Sequence, residues 1–328
     1  MSDLIRTDPP SGRTRGRFHY LGPGVIPSLV RNGRALTRRD ADGSDGGSVG
    51  VDLQEHEIDV HDGRQVACTL ARNGFELHDH PVDDLRIDFF DHADVVRRYY
   101  PDSEALVRSV TGARVFAFDH NVRSALGQAS ARRVKGGQRV QGPAHVVHGD
   151  YTLTGAPQRL RDLARPPSGN DSLSGHRPSD QPVIPRALAE RALAPGGRFA
   201  IINLWRSIAD EPVETHPLAL CDAQCVNPRE LVVFEIHYPD RIGENYFAKH
   251  ADGHRFYYFP RLTRREALLI KQWDSHGTLA RTGGERGDAS APDAPSTFSF
   301  HTAFDDLGAR PDAPDRISVE VRCMVIYD

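Results

Sequence analysis

Several residue types are scarce in this sequence of 328 residues, and each scarcity excludes a class of protein. There are four cysteines, and the C-x3-C pair Cys221 and Cys225 has no second pair to complete a zinc site. We therefore expect Cys68, Cys323 and this pair to be reduced packing residues, as is usual in a cytoplasmic protein. No apolar run approaches the length of a membrane span, and the first residues lack an apolar signal core, so neither a membrane nor secretion is expected.

Basic residues are not in excess either. The 41 Lys and Arg residues face 45 Asp and Glu residues, the net charge is −4, and no basic block stands out. This balance gives no reason to expect nucleic acid as a partner. Hydrophobic residues make up only 38%, whereas Gly and Pro contribute 29 and 23 residues. We expect a folded core that carries several polar loops, and not a disordered protein.

Strand patterns dominate the chain beyond residue 110, with few helices between them. Alternating or β-branched runs occur at Ala113–Arg123, Ala144–Thr152, Arg198–Ile208, Leu218–Cys221, Leu231–His237, Phe256–Phe259, Phe298–Phe304 and Arg316–Tyr327. This order argues against alternating β-α units. It predicts a mainly β fold with flanking helices (α+β), as an antiparallel barrel or jelly roll. We expect residues 1–110 to be an extension of short strands and helices that packs on a core over residues 111–328.

Helices and loops are predicted at five further places. The apolar spacing of Asp91–Val110 predicts two short helices around Pro101, and Pro185–Leu193 predicts a third. Thr263 is followed by Glu three residues later, which predicts a capped short helix over Thr263–Lys271. Residues 165–182 and 275–295 are rich in Gly, Pro and Asp. We expect them to be inserted loops that are mobile and border a cavity mouth.

The most informative stretch is AHVVHGDYT, which follows the break at Gly142-Pro143. Side chains alternate along a strand, so His148 and Asp150 point to the same side and can hold one metal ion. His301 in TFSFHTAFDD is the best candidate for a third ligand. Two imidazoles and one carboxylate that leave positions open suit non-haem Fe(II) and oxygen chemistry. The rival histidines are His216, His237, His250, His254 and His276.

The last strand, RISVEVRCMVIY, carries two arginines, a serine and a glutamate on one face. Arg316 and Ser318 begin this face and Arg322 ends it, while the other face is apolar. An edge strand with a solvated face is one interpretation. The other is an anion site, since the guanidinium fork holds a carboxylate by two charge-assisted hydrogen bonds and a hydroxyl adds a third. His301 is preferred to its rivals because it alone is followed by Arg-x-Ser on a closing strand.

Seven segments from Gly112 to the end resemble one family, in the same order. They read VFAFDHNVR, VVHGDYT, FAIINLWRSI, PLALCDAQ, HRFYYFPRLTRREALLIKQWDS, FHTAF and RISVEVRCMVIY. They are similar to the family of cephem methoxylase small-chain-like proteins, fungal hydroxylase/desaturases and gibberellin desaturases. The resemblance implies a double-stranded β-helix (jelly-roll, cupin-like) core and an Fe(II)- and 2-oxoglutarate-dependent oxygenase of secondary metabolism that uses O2. The sequence departs from the family in Gly149, where a larger residue is expected.

The resemblance also assigns roles to individual residues. His148, Asp150 and His301 would hold the metal, and Arg316 with Ser318 would hold 2-oxoglutarate, with Arg322 as the rival anchor. For the substrate we consider Arg206, Tyr151 and His120, although an ion pair explains Arg206 and a plain strand role explains Tyr151 equally well.

Two other functions stay open on the sequence alone. One is a zinc or manganese jelly-roll hydrolase or isomerase, which leaves Arg316 and Ser318 without a role. The other is a non-catalytic accessory subunit of an oxygenase pair. The sequence does not choose between hydroxylation and desaturation, or between a monomer, a homodimer and a complex with a partner protein.

Overall fold

A computed structural model describes residues 12–39, 45–168, 171–178, 180–239 and 241–328. The strands are β1 (Arg13–Leu21), β2 (Leu36–Arg39), β3 (Asp45–Val49), β4 (Leu53–Asp62), β5 (Phe75–Asp79), β6 (Arg114–Arg123), β7 (His148–Gly149), β8 (Phe199–Ser207), β9 (Leu218–Cys221), β10 (Leu231–His237), β11 (Ile242–Ala248), β12 (Phe256–Tyr258), β13 (Glu266–Asp274), β14 (His301–Ala303), β15 (Asp305–Asp306) and β16 (Ser318–Ile326).

The helices are fewer and shorter. The α-helices are α1 (His92–Asp94), α2 (Tyr100–Thr111), α3 (Ala125–Ala129), α4 (Gly155–Leu163), α5 (Arg186–Leu193) and α6 (Thr278–Arg281). A π-helical turn over Val95–Tyr99 joins α1 to α2, and 3-10 turns lie at Gly63–Gln65, Asp83–Leu85, Ala223–Cys225, Pro228–Glu230 and Asp288–Ser290. None of the helices in the described ranges has both the length and the apolar character needed to cross a bilayer.

The strands form two sheets. The order in the smaller sheet is β5-β13-β8-β16-β6, and the order in the larger is β15-β1-β4-β12-β9-β14-β7-β11-β10-β2-β3. From β6 to β9 the chain alternates between the two sheets, then adds the hairpin β10–β11 and β12 to the larger sheet. Strand β13 then joins the smaller sheet, β14 the larger and β16 the smaller again. Between β14 and β16, the two-residue β15 lies at the edge of the larger sheet. This path is a jelly roll, so the predicted double-stranded β-helix core is confirmed.

The two sheets face each other across an apolar layer at one end of the barrel. Trp205, Leu268 and Ile270 of the smaller sheet pack there against Leu220 and Tyr257 of the larger sheet. The other face of the smaller sheet is covered by helices, because α2 packs on β6 and β16. The barrel interior beyond the apolar layer is therefore free to carry polar groups, and this is where the candidate site lies.

The strands of the first sixty residues extend the larger sheet. Strand β1 pairs with β4 over its whole length, from Arg13 opposite His61 to Leu21 opposite Leu53. Strand β4 also pairs with β12 of the jelly roll. The division of the chain at residue 110 stays a prediction.

The helix expected over Thr263–Lys271 is wrong, because β13 covers this segment from Glu266 onward. The capping signal itself is present, since the Glu266 carboxylate accepts hydrogen bonds from the backbone and hydroxyl of Thr263 at 2.9 and 3.1 Å. The residues that follow are buried and pair with β5 on one side and β8 on the other. Sheet pairing therefore outweighs the local helix signal. The two helices expected around Pro101 are one helical run, in which the π-helical turn over Val95–Tyr99 leads directly into α2 and Pro101 is the second residue of α2.

The segment 275–295 does not border the cavity mouth, which corrects the prediction made for it. Its Asp288 is buried and accepts hydrogen bonds from the backbone N–H groups of Leu279 and Thr297, at 3.2 and 2.6 Å. None of its residues lines the large cavity described below. In contrast, Arg165 and Ser172 of the other predicted loop do line it; residues 169, 170 and 179 lie outside the described ranges.

Candidate metal centre and cavity

The structure brings His148, Asp150 and His301 together. Strand β7 pairs with β14, so that His148 lies opposite His301, and Asp150 follows directly after β7. His148 Nε2 lies 3.5 Å from Asp150 Oδ1, and His301 Nε2 lies 3.8 Å from the same oxygen. Two donor atoms that share one ion at about 2.1 Å are roughly 3.0–3.4 Å apart at octahedral or tetrahedral angles. The observed spacings therefore suit a single metal ion with little adjustment.

His148 presents one ring nitrogen to the site because the other is occupied. Its Nδ1 donates to the carbonyl oxygen of Val146 at 2.7 Å. This bond fixes the tautomer and leaves Nε2 as an acceptor that faces Asp150. The imidazole is thus oriented for ligation before any ion binds.

Asp150 is held by partners from the smaller sheet. Its Oδ2 accepts from the Asn203 side chain at 3.0 Å and lies 3.5 Å from Arg322 Nε, whereas Oδ1 faces the two histidines. Its backbone N–H donates to Gln272 at 3.2 Å. Burial alone would raise the pKa of Asp150, but the Arg322 guanidinium and the two imidazoles hold it well below its ordinary value. The carboxylate is therefore ionised and positioned for a metal.

His301 is neutral in these surroundings. Burial, followed by the neighbouring His148, lowers the pKa of His301 to about 3. A metal needs an ionised carboxylate and unprotonated imidazoles, and Asp150 and His301 meet this requirement at neutral pH.

A large cavity opens beside this group. Its volume is about 1090 Å³, and His148, Asp150 and Tyr151 contribute to its wall. Arginine is the commonest charged side chain around it. Among the described residues the wall includes nine arginines and four carboxylates, namely Arg31, Arg39, Arg123, Arg133, Arg159, Arg161, Arg165, Arg241 and Arg322 with Asp119, Asp150, Asp162 and Glu244.

Arg322 forms ion pairs with carboxylates of the protein itself. It lies 2.9 Å from Asp119, 3.2 Å from Glu320 and 3.5 Å from Asp150. These carboxylates, Asp150 foremost, raise its pKa well above the usual value despite burial. Arg322 therefore orients the metal-site carboxylate, and few of its donors are left for a ligand.

Arg316, in contrast, has free hydrogen-bonding capacity. It is 3% exposed, and its Nη1 donates to the carbonyl oxygen of His216 at 2.6 Å. Its Nε has no hydrogen-bond partner among the described residues, and neither has the hydroxyl of Ser318 or that of Ser207. Burial and the nearby Arg123 lower the pKa of Arg316 to about 9. A buried guanidinium with an unsatisfied Nε, two residues along the chain from an unsatisfied buried hydroxyl, is the expected environment for a bound anion.

The two serines belong to one group because of the register of the smaller sheet. Ser318 lies directly opposite Ser207 on β8, and side chains of opposite residues share a face. Ser207, Asn203 and Gln272 were not predicted from the sequence. The sequence signal for Asn203 is a single polar residue inside the apolar run FAIINLW.

Arg206 does not reach the cavity, which corrects its proposed substrate role. Strand alternation turns it to the opposite face from Asn203 and Ser207. Its guanidinium donates to the carbonyl oxygens of His80 and Arg264, at 2.6 and 2.7 Å, and to Tyr99 at 2.9 Å. It is fully buried and joins the helical region to the loop before β13.

The other two substrate candidates line different cavities. Tyr151 lines the large cavity, and burial raises its pKa to about 12. His120 lines a smaller cavity of about 270 Å³. Its Nδ1 lies 2.9 Å from the Tyr100 hydroxyl, and burial lowers its pKa to about 4. Tyr151 is therefore the candidate that the structure places beside the metal group.

Gly149, where a larger residue was expected, is explained by Phe298. A Cβ at Gly149 would lie 2.9 Å from two atoms of this ring, which is 1% exposed. We expect Gly149→Ala to lower the free energy of unfolding by about 1–3 kcal/mol, as overpacked sites do, in urea denaturation. Gly253→Ala is the matched control, because a Cβ there meets nothing within 4 Å. Equal losses in the two variants would contradict this explanation.

Comparisons with known proteins agree with this architecture. Residues 34–326 match the family described as "Oxidoreductase/YMDC permease-like domain". The chain is 37% identical to an uncharacterized protein from the dcmA 3' region of Methylophilus leisingeri over 191 residues, which is 58% of this chain and 88% of that protein. It is 29% identical over 287 residues to the alpha-ketoglutarate-dependent dioxygenase phiK of a fungal species, covering 86% and 87% of the two chains.

A solved structure shares the fold. The iron and alpha-ketoglutarate-dependent endoperoxidase NvfI matches with a TM-score of 0.69 and 23% identity, covering 96% of this chain and 98% of that one. The resemblance to fungal 2-oxoglutarate oxygenases that the sequence predicts is confirmed by these matches.

Proposed function

This chain belongs to the family described as "Oxidoreductase/YMDC permease-like domain", and from that premise we propose that it is an Fe(II)- and 2-oxoglutarate-dependent oxygenase that hydroxylates or desaturates a small molecule. The observation that carries the proposal is the buried group His148, Asp150 and His301, whose three donor atoms lie within 4.8 Å of one another. Two imidazoles and a carboxylate on one side of an ion form the ligand set of non-haem iron oxygenases.

The cosubstrate site is supported by the donors that lack partners. A five-carbon diacid needs its distal carboxylate neutralised inside the barrel, and burying that charge unpaired is costly. Arg316 Nε, Ser318 Oγ and Ser207 Oγ are buried donors that no described residue satisfies. A zinc or manganese hydrolase on the same scaffold would leave all three without a role.

Separate groups of residues would bind the metal, orient its carboxylate ligand and bind 2-oxoglutarate. His148, Asp150 and His301 would hold Fe(II), while Asn203 and Arg322 keep Asp150 ionised and turned toward it. Arg316 and the two serines would hold 2-oxoglutarate. When bound, iron with 2-oxoglutarate and O2 supplies the oxidation of a substrate C–H bond, with succinate and carbon dioxide as co-products.

The substrate class follows from the cavity wall. Its nine arginines exceed its four carboxylates, and one of those carboxylates would be taken by the metal. A low-dielectric cleft lined by positive charge raises the local concentration of anions. We therefore assign an anionic small molecule, bearing a carboxylate or a phosphate, as the substrate. Its place in secondary metabolism is proposed on the likeness to the fungal oxygenases.

Succinate formation tests this function. Protein reconstituted with Fe(II) should convert 2-oxoglutarate to succinate only in the presence of O2, and the His301→Ala variant should not. In a screen of paired compounds, free carboxylates or phosphates should accelerate this conversion, and the matching neutral esters should not. Succinate formation that is unchanged in His301→Ala would refute the proposed centre, and acceleration by the esters alone would refute the anionic substrate.

A further inference from the structure

We propose that His145, His216 and Asp305 form a second divalent-cation site, separate from the oxygenase centre and suited to zinc. The three side chains come from different parts of the chain: the segment before β7, the loop between β8 and β9, and β15. Their donor atoms all lie within 4.8 Å of one another. Zinc binding at this site does not depend on the proposed oxygenase function, whereas the structural role given to the site below rests on it.

The spacing of the donor atoms suits one ion. His216 Nδ1 lies 3.1 Å from Asp305 Oδ1, and His145 Nδ1 lies 3.8 Å from the same oxygen. The first distance lies within the roughly 3.0–3.4 Å expected for two ligands of one zinc ion, and the second is longer, so that a small movement of His145 would complete the pair. The two imidazoles meet edge to face, with ring centroids 5.0 Å apart, and the Nδ1 atom of each faces the shared carboxylate oxygen. Imidazole with carboxylate is a common ligand set of zinc.

Backbone hydrogen bonds hold the three segments in place without the ion. The N–H of Ala303 donates to the carbonyl oxygen of Ala144, beside His145, at 2.7 Å. The N–H of Phe304, beside Asp305, donates to the carbonyl oxygen of Pro217, beside His216, at 3.2 Å. A cation would therefore find its ligands already assembled, which lowers the entropic cost of binding.

A further imidazole borders the cluster. The ring of His19 lies 6.4 Å from that of His145, and its Nδ1 is buried without a hydrogen-bond partner among the described residues. The side chains of His145, His216 and Asp305 are 29%, 33% and 46% exposed. The cluster is thus open to solvent on one side, so that water can complete the coordination and an ion can enter.

This site would stabilise the position of Arg316, the proposed anchor of 2-oxoglutarate. The carbonyl oxygen of His216 accepts the hydrogen bond from Arg316 Nη1 at 2.6 Å. An ion on the His216 ring fixes the loop that carries this carbonyl oxygen, and with it one of the contacts that orient Arg316. The second site is therefore a structural cation site beside the cosubstrate pocket.

Zinc stoichiometry tests the proposal. Untagged protein stripped with a chelator should bind two equivalents of Zn²⁺ in equilibrium dialysis. The variants Asp305→Ala and Asp150→Ala should each bind one equivalent, and the double variant none. Co²⁺ bound to Asp150→Ala should give an absorption spectrum of imidazole–carboxylate coordination that disappears in the double variant. His237→Ala is the matched control, because His237 also pairs with a carboxylate, Glu235 at 2.9 Å, but has no third ligand within the described ranges.

Three outcomes would overturn the second site. The first is that the wild type and Asp305→Ala each bind one equivalent of Zn²⁺. The second is complete loss of zinc in Asp150→Ala, since the second site would then bind nothing by itself. The third is a zinc-dependent change in gel-filtration elution that Asp305→Ala removes. This would show that the cluster binds zinc between two protein molecules. Circular dichroism of each variant shows whether it has folded.

Discussion

Replacing Asp150 by alanine is expected to abolish Fe(II) binding at the oxygenase centre while the protein still folds. The carboxylate offers one oxygen to both histidines, and its loss removes the charge that neutralises the ion. Folding should persist because Arg322 keeps Asp119 and Glu320 as partners, at 2.9 and 3.2 Å. The variants His148→Ala and His301→Ala should lose iron in the same way, since two ligands do not retain it.

Anaerobic equilibrium dialysis with Fe(II) is the measurement. All proteins should carry Asp305→Ala, so that the cluster of His145, His216 and Asp305 cannot contribute. In this background His216→Ala should still bind one equivalent of iron. Stoichiometric iron in the His301→Ala protein would remove that residue from the centre.

The second large effect is expected at Arg316. Arg316→Ala should weaken 2-oxoglutarate binding by about 2–5 kcal/mol, on the scale of a broken buried charge pair. Arg316→Lys keeps a positive charge but loses the planar fork, so we expect a raised KM for 2-oxoglutarate with iron binding unchanged. The readout is the 2-oxoglutarate dependence of succinate formation, together with iron stoichiometry.

Arg322→Ala is the control that separates the two arginines. Because Arg322 contacts Asp150, its loss should displace the Asp150 carboxylate and destabilise the protein. It should raise the KM for 2-oxoglutarate less than the loss of Arg316 does. If Arg322→Ala removes 2-oxoglutarate binding and Arg316→Ala does not, the anchor has been assigned to the wrong end of the strand. If neither variant matters, the protein does not use 2-oxoglutarate in this way.

The metal ligands could be predicted because their signal is local. Side chains two residues apart on a strand share a face, so the spacing of His148 and Asp150 is enough to place both on one side of the chain. His301 needed a second signal, the Arg-x-Ser on the closing strand. The jelly roll followed from the succession of strands, whose apolar runs are buried on both faces in β8 and β16.

The residues around the ligands could not be predicted, because their contacts cross between strands. Asn203 and Gln272 reach Asp150 only through the register of β8 and β13 and the approach of the opposite sheet. Arg206 failed as a substrate residue for a local reason, since its neighbour Trp205 packs in the barrel and adjacent strand residues point to opposite faces. Cytoplasmic location and a homodimer or partner protein stay predictions.

The most direct test of the oxygenase assignment is an anaerobic titration of the iron-loaded protein with 2-oxoglutarate. We expect a visible absorption band that grows to one equivalent of 2-oxoglutarate, is lost on admission of O2 as succinate forms, and needs a much higher concentration in Arg316→Ala. A band that requires no iron, or its absence in a folded protein that holds one equivalent of Fe(II), would contradict the assignment.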